Sequence, residues 1–257
     1  MTSPIRFSPR RWMHRLRYEW RHRGPVITGI IIALCVLMWL VEQIAYYSSS
    51  NAFASMVYDM AFIPALTKSQ PWIFLTSMFM HAPGVDVWHI LGNMITLWFI
   101  APSLEKLLGH WQFLALYLLS GLGGDAGNMV YARVLDDPQS WFQSSYGASG
   151  AIFGLFGALL VAYSRMHLDI RSLIVLVVIN LAMPFFVPNI AWQAHVGGLL
   201  TGAGTSSMLI GTTAIRRVLN YTQRTIITVL VVVAVIVGIV LLCRYTSVWN
   251  SVLSLRG

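Results

Sequence analysis

Charge is scarce in this sequence, and cysteine is scarcer still. Asp, Glu, Lys and Arg make up only 10% of the 257 residues, whereas soluble domains average about 25%. This lack of charge excludes an ordinary soluble domain. Both cysteines, Cys35 and Cys243, lie within apolar runs, so the sequence offers no disulfide framework and no cysteine-ligated metal site. We also expect no cleavable signal peptide, because the first apolar run ends without a small-residue cleavage site.

Apolar residues are abundant instead, at 57% of the chain. They gather in runs, and a run of about 18 residues or more is long enough to cross a bilayer as a helix. The predicted spans cover residues 26–45, 88–101, 110–123, 147–163, 170–186, 191–210 and 226–243. The second and third spans are short, but their interiors are apolar and aromatic. The pattern predicts an all-α, polytopic membrane protein.

Basic residues outnumber acidic ones, and they are unevenly distributed along the chain. If the N-terminus is cytoplasmic, thirteen Lys and Arg residues lie on the cytoplasmic side and four on the opposite side. The positive-inside rule favours this orientation, with the C-terminus outside. Because the net charge of +8 follows the topology, we expect no nucleic-acid partner. The arginines of residues 1–25 are interleaved with aromatic residues, which is typical of an interfacial segment resting on anionic lipid.

Four polar residues stand out within the spans, because such groups are expensive there and usually functional. His89 and Asn93 lie on the second span, Ser149 on the fourth and His195 on the sixth. These spans all run inward from the outer face in the predicted topology, so the four groups share one depth. A histidine that accepts a serine's proton makes that serine a nucleophile. The i, i+4 pair on the second span and the N-terminus of the fourth would stabilise an oxyanion.

Glycines would allow the fourth and sixth spans to pack closely against each other. Gly150 and Gly154 form one G-x-x-x-G pattern, and Gly198 and Gly202 form another. Small residues let membrane helices pack backbone to backbone, which would bring the serine within reach of the histidine. A structural interpretation stays open, in which the serine bonds its own helix and the other polar groups hold helices together.

Five short motifs follow one another along the chain. They are FMH (Phe79–His81), HILGNM (His89–Met94), APSLEKLLG (Ala101–Gly109), GASGAIFG (Gly147–Gly154) and AHVGGLLTG (Ala194–Gly202). In this order they resemble the motifs of the rhomboid family of intramembrane serine proteases. The resemblance covers roughly residues 26–212.

The resemblance implies a role for each candidate residue. Ser149 matches the nucleophile and His195 the general base, while His89 and Asn93 match the oxyanion stabilisers. The supporting residues that it implies are Gly147, Gly150, Phe153, His81, Gly198 and Gly202. Among them, the phenylalanine would stack on the catalytic histidine, and the histidine would be a structural residue of the first loop.

The resemblance also implies a fold and a reaction. The fold is a helical bundle with a six-helix core at residues 26–212, preceded by the basic segment at residues 1–25. Residues 213–257 would supply a cytoplasmic linker, a seventh membrane helix and a short external tail. The reaction is the hydrolysis of peptide bonds in or near the transmembrane segments of membrane-protein substrates. It would need no metal or cofactor and would occur near the outer face of the plasma membrane.

The chain departs from the family's pattern in the first loop, where Trp72 and Ile73 replace the frequent Trp-Arg pair. No acidic residue matches a third catalytic member. Asp125 falls on the predicted side of Ser149, but we expect it in a loop. The catalytic histidine would then be oriented by packing, to which an aromatic at position 153 is suited.

Two other functions remain open at this point. A catalytically inactive relative would bind membrane helices, but such proteins lose the serine or the histidine, and both are present here. A transporter would need ionisable residues along a path through the membrane. The acidic residues of this chain instead fall at predicted span ends or in loops.

Overall fold

The described part of the chain is built from helices. The computed structural model describes residues 14, 17–85, 87–187 and 190–243. Its α-helices are α1 (Val26–Ser48), α2 (Ser50–Met60), α3 (Ile73–Thr76), α4 (Trp88–Leu108), α5 (His110–Leu135), α6 (Pro138–Phe142), α7 (Ser149–Arg165), α8 (Arg171–Ala182), α9 (Trp192–Ile210), α10 (Thr213–Val218) and α11 (Tyr221–Cys243). Short 3-10 helices cover Pro64–Leu66, Ser77–Phe79 and Met183–Phe185. No β-strand occurs within these described ranges, so the expected all-α class is confirmed.

Two helices, α1 and α11, are long and apolar enough to cross a bilayer, with 23 residues each. The expectation of short second and third spans is wrong, since α4 has 21 residues and α5 has 26. Helix α5 continues beyond residue 123 because Gly124, Asp125 and Asn128 are buried against neighbouring elements, although their polarity lowers the local hydropathy. Asp125 therefore lies inside a helix, and its predicted placement in a loop is wrong.

The end of α4 and the start of α5 are held against the start of α1. The buried carboxylate of Glu105 accepts the N–H groups of Ile27 at 2.8 Å and Thr28 at 2.9 Å, which have no intrahelical partner at a helix start. His110 Nδ1 lies 2.6 Å from the same carboxylate, and His110 Nε2 lies 2.9 Å from the carbonyl oxygen of Trp20. One carboxylate thus joins three chain segments at one end of the bundle.

Helices α5, α7 and α9 pack together at the centre of the bundle, with backbone contacts between α7 and α9. A Cβ atom at Gly198 would collide with the carbonyl oxygen of Gly150, and one at Gly202 would collide with the carbonyl oxygen of Gly154. Only glycine permits this approach. The structure therefore agrees with the close packing expected of the fourth and sixth spans.

The segment between α1 and α4 folds into short helices over the bundle. Ile73 is fully buried and belongs to an apolar cluster with Phe62 and Trp141. Its neighbour Trp72 donates an indole N–H to the carbonyl oxygen of Asp59 at 2.8 Å. Burial of an apolar side chain thus holds this loop at the position where the sequence departs from the Trp-Arg pattern.

The structure describes only part of the predicted N-terminal segment and of the predicted C-terminal segment. Most of the basic segment 1–25, and all of the predicted tail after Cys243, lie outside the described residues. Within the described part of the basic segment, the ring of Trp20 stacks on His110 at 4.1 Å. Helix α11 packs against α5 and α9, and the Tyr221 hydroxyl donates to the carbonyl oxygen of Leu108 at 2.7 Å.

Candidate active site

Ser149 and His195 meet across the contact between α7 and α9. Ser149 is the first residue of α7, and His195 lies in the first turn of α9. Ser149 Oγ is 3.0 Å from His195 Nε2, which is a hydrogen-bond distance. The glycine contacts set this spacing by holding the two backbones against each other. A serine hydroxyl that donates to an imidazole nitrogen can transfer its proton there.

The ring of His195 is oriented by an aromatic contact. Phe153, one turn after Ser149 on α7, stacks on the imidazole with centroids 4.1 Å apart and planes 11° apart. His195 is only 7% exposed. Its Nδ1 atom has no hydrogen-bond partner within the described part of the chain. The phenyl ring therefore lies flat against the imidazole and limits its rotation.

His89 lies near Ser149, across Gly147. Its Nδ1 accepts the N–H of Ala82 at 3.2 Å, so the neutral ring carries its proton on Nε2. A Cβ atom at Gly147 would lie 2.9 Å from that Nε2 and 3.8 Å from Ser149 Oγ. Gly147 has a φ of +136°, a region that favours glycine. The missing side chain leaves the space between the histidine and the serine open.

Asn93 is directed elsewhere. Its Nδ2 donates to the carbonyl oxygen of His89, one turn earlier on α4, at 2.8 Å. The structure thus brings His89, Ser149 and His195 to one site, whereas the Asn93 amide bonds its own helix. The N–H groups at the start of α7 complete the set of donors near Ser149, because the first N–H groups of a helix lack intrahelical acceptors.

His81 is a buried residue of the loop that precedes α4. Its backbone N–H donates to the carboxylate of Glu42 at 2.9 Å, and its Nδ1 donates to the carbonyl oxygen of Phe79 at 3.1 Å. Burial, and secondly the charge of nearby His89, lower the pKa of His81 to about 3. One hydrogen bond thus holds the neutral ring and another holds the backbone of His81, which is consistent with the structural role that the resemblance implied.

Comparisons with known proteins agree with these motifs. The Rhomboid domain model matches residues 68–212. Rhomboid protease GluP of Bacillus subtilis (strain 168) is 32% identical over 183 residues, which cover 69% of this chain and 34% of GluP. YdcA of the same organism is 31% identical over 184 residues, which cover 69% of this chain and 85% of YdcA. This chain belongs to the rhomboid family.

The family relationship extends to plants. RHOMBOID-like protein 1 of Arabidopsis thaliana is 34% identical over 142 residues, which cover 52% of this chain and 33% of that protein. The chain thus spans about a third of the length of GluP and of RHOMBOID-like protein 1. As a rhomboid with apolar helices of bilayer length, it is a membrane protein.

Sequence reasoning missed Ser77 and misplaced Asp125, which are two buried polar residues near the rhomboid motifs. Ser77 Oγ donates to Asp125 Oδ2 at 3.3 Å, and the carbonyl oxygen of Ser77 accepts the N–H of Gly147 at 2.9 Å. An acidic residue beside three small ones in an apolar run was the available signal for Asp125. No comparable signal marks Ser77, since a serine in a loop is ordinary.

A small recess lies between α5, the loop before α7 and the start of α9. It has a volume of about 10 Å³, and its lining includes Asn128, Ser145 and Gln193. This is close to the space that one water molecule occupies. Neither Ser149 nor His195 lines this recess.

Proposed function

We propose that this rhomboid is an intramembrane serine endopeptidase, with Ser149 as nucleophile and His195 as general base. The observation that carries the proposal is the 3.0 Å separation between Ser149 Oγ and His195 Nε2. The similarity to Rhomboid protease GluP supports the same class of reaction. The buried, stacked imidazole supports a base that is held ready for proton transfer.

The reaction proceeds in two half-reactions. Ser149 Oγ attacks the carbonyl carbon of the scissile peptide while His195 Nε2 takes the hydroxyl proton. When the C–N bond breaks, His195 gives this proton to the leaving amine, and Ser149 becomes an ester. Water then attacks the ester and loses a proton to His195, which returns it to Ser149 Oγ as the acid product leaves.

Negative charge on the tetrahedral intermediate needs donors that are already in position. The Nε2–H of His89 and the N–H groups at the start of α7 supply them in this proposal, and the helix dipole adds to their effect. Asn93 would join them by turning its amide away from the carbonyl oxygen of His89.

The substrates that fit this site are transmembrane proteins. A membrane helix has hydrogen-bonded carbonyls, so it must unwind locally before the serine reaches one. We therefore propose cleavage at transmembrane segments that contain Gly, Pro or polar residues. We retain the domain plan of a basic segment at residues 1–25, a six-helix core at 26–212 and a seventh helix within 213–257. The N-terminus would be cytoplasmic, and the site would lie near the outer face of the plasma membrane.

The experiment compares purified wild type with Ser149→Ala in proteoliposomes that contain a panel of single-span membrane proteins. Wild type should cleave at least one substrate and react with a fluorophosphonate probe, and the variant should do neither. Ser164→Ala, an exposed serine on the same helix, is the matched control and should behave as wild type. His195→Ala should lose cleavage, and the double variant should be no worse, because members of a catalytic unit fail together.

The inactive-relative alternative makes a different prediction in the same experiment. A helix-binding rhomboid would retain the substrates without cutting them, and the probe would leave Ser149 unlabelled. That pair of results in wild type would overturn the proposal.

A further inference from the structure

Asp125 is a buried carboxylate that the proposed chemistry does not use. It is 6% exposed and lies inside α5, where an ionisable group is costly and typically functional. Its carboxylate accepts a hydrogen bond from Ser77 Oγ at 3.3 Å. Ser77 is itself buried, in the 3-10 helix Ser77–Phe79.

Ser77 connects this carboxylate to the nucleophile's loop. Its carbonyl oxygen accepts the N–H of Gly147 at 2.9 Å, and Gly147 precedes Ser149 by two residues. Gly147 also stands between His89 Nε2 and Ser149 Oγ, as the positions around its absent Cβ indicate. A displacement of Gly147 would therefore change the geometry between the nucleophile and the oxyanion donors.

A second bond from α5 reaches the same loop. Asn128 Nδ2 donates to Ser145 Oγ at 2.9 Å, and positions 125 and 128 share one face of the helix because they are three residues apart. Helix α5 also contacts the dyad's other helix, since a Cβ atom at Gly124 would lie 3.0 Å from the carbonyl oxygen of Ala194. Helix α5 thus contacts both the loop that precedes Ser149 and the helix that carries His195.

We propose that Asp125 is a positioning residue that acts through Ser77 on Gly147 and so aligns the oxyanion donors with Ser149. The inference rests on the proposed protease function. Oxyanion stabilisation depends on donors fixed before the charge develops, so a looser Gly147 lowers kcat and leaves the binding of the substrate unchanged. Asp125 touches no substrate and takes no proton in this role.

The role requires a hydrogen-bond acceptor at position 125 and not a charge. The bond that Asp125 makes is with a neutral side-chain hydroxyl, that of Ser77. An asparagine carbonyl oxygen can accept from Ser77 in the same way. Asp125→Asn should therefore retain most of the function that Asp125→Ala loses.

The kinetic test uses the full chain in proteoliposomes with a cleaved transmembrane substrate. Asp125→Ala and Ser77→Ala should each lower kcat by about tenfold to a hundredfold, the cost of a small misplacement of reacting groups, with KM unchanged. Asp125→Asn should stay within about threefold of wild type, because it keeps the acceptor. The double alanine variant should be no slower than the single variants, since both remove the same bond. Asp59→Ala, an exposed carboxylate, is the charge-matched control.

A second measurement does not depend on activity. Hydrogen exchange of the Gly147 amide should accelerate by about tenfold in Asp125→Ala and in Ser77→Ala, because local opening becomes easier. Ser77→Ala removes a single oxygen atom and keeps the test decisive if Asp125→Ala does not fold.

The outcomes separate the two proposals. Full kcat in either alanine variant, additive losses in the double variant, or an Asp125→Asn variant as slow as Asp125→Ala would overturn the positioning role. Unchanged Gly147 exchange in an active enzyme would overturn it too. A wild type that cleaves nothing, together with faster exchange in both variants, would overturn the protease function while supporting the attachment of Gly147 through Ser77.

Discussion

At the scale of single residues, the orientation of His195 depends on a ring contact. A Ser-His-Asp triad holds its histidine with a carboxylate on the second ring nitrogen. Here Nδ1 of His195 has no partner among the described residues, and Phe153 lies against the ring face. We infer that stacking and burial take the place of the acidic residue and limit the imidazole to one plane.

This contact gives a prediction with a matched control on the same helix. Phe153→Leu should lower kcat by about tenfold to a hundredfold, because the imidazole plane is no longer fixed. Phe156→Leu removes an equally buried phenylalanine that contacts Phe153. Each variant should lose roughly 0.5–3 kcal/mol of stability, the usual range for a point substitution, but only Phe153→Leu should lose kcat. Equal kcat values in the two variants would rule out the orienting role.

His89 and Asn93, the two side chains proposed as oxyanion donors, make different hydrogen bonds in the structure. We expect this difference to appear in kcat. His89→Ala should lower kcat by about 10²–10³, the typical cost of one lost donor, with KM little changed. Asn93→Ala should cost less, because its amide bonds the His89 carbonyl oxygen in the resting state. Measuring kcat, KM and the melting temperature on the same preparations decides the matter. A normal kcat in His89→Ala would remove it from the oxyanion site.

Sequence reasoning reached some of these residues and not others, for physical reasons. Ser149, His195 and His89 are polar groups in apolar runs, so their depth and order made them candidates. The direction of the Asn93 amide depends on a rotamer, which no sequence pattern encodes. Asp125 was assigned to a loop because the glycines around it lower hydropathy, although they pack against other helices.

At the scale of elements, the site depends on the contact between α7 and α9. The G-x-x-x-G patterns predicted this contact, because small residues at that spacing have one principal use between membrane helices. The lengths of α4 and α5 were not predictable in the same way. Hydropathy reports which residues suit lipid, whereas the second half of α5 faces other helices.

The helix contact can be tested with two glycines of α9. A Cβ atom at Gly202 would collide with the backbone of Gly154, whereas one at Gly204 would meet nothing within 4 Å. Gly202→Ala should therefore lower the melting temperature by the equivalent of about 1–3 kcal/mol or more, because overpacking forces the backbones apart. It should lower activity as well. Gly204→Ala should match wild type in both measurements, and equal melting temperatures would show that the contact does not hold the helices.

At the scale of the whole molecule, the distribution of charge predicts the orientation in the membrane. Thirteen basic residues against four on the two sides favour a cytoplasmic N-terminus. The seven spans that the sequence predicts would then put the C-terminus outside. Reporter fusions at residues 1 and 257 should report opposite sides of the membrane. The same side at both ends would contradict an odd number of spans.

The backbone contact between α7 and α9 also bears on how the proposed protease should respond to the surrounding membrane. Bilayers of different thickness tilt helices or deform around them at modest cost. Two helices that touch through carbonyl oxygens and glycine Cα atoms should move as one body, so we expect the distance between Ser149 and His195 to be independent of the lipid. A small water-borne fluorophosphonate should label Ser149 equally fast in thin and thick membranes. Cleavage of a transmembrane substrate should vary with thickness, because the membrane then governs only the delivery of the peptide bond.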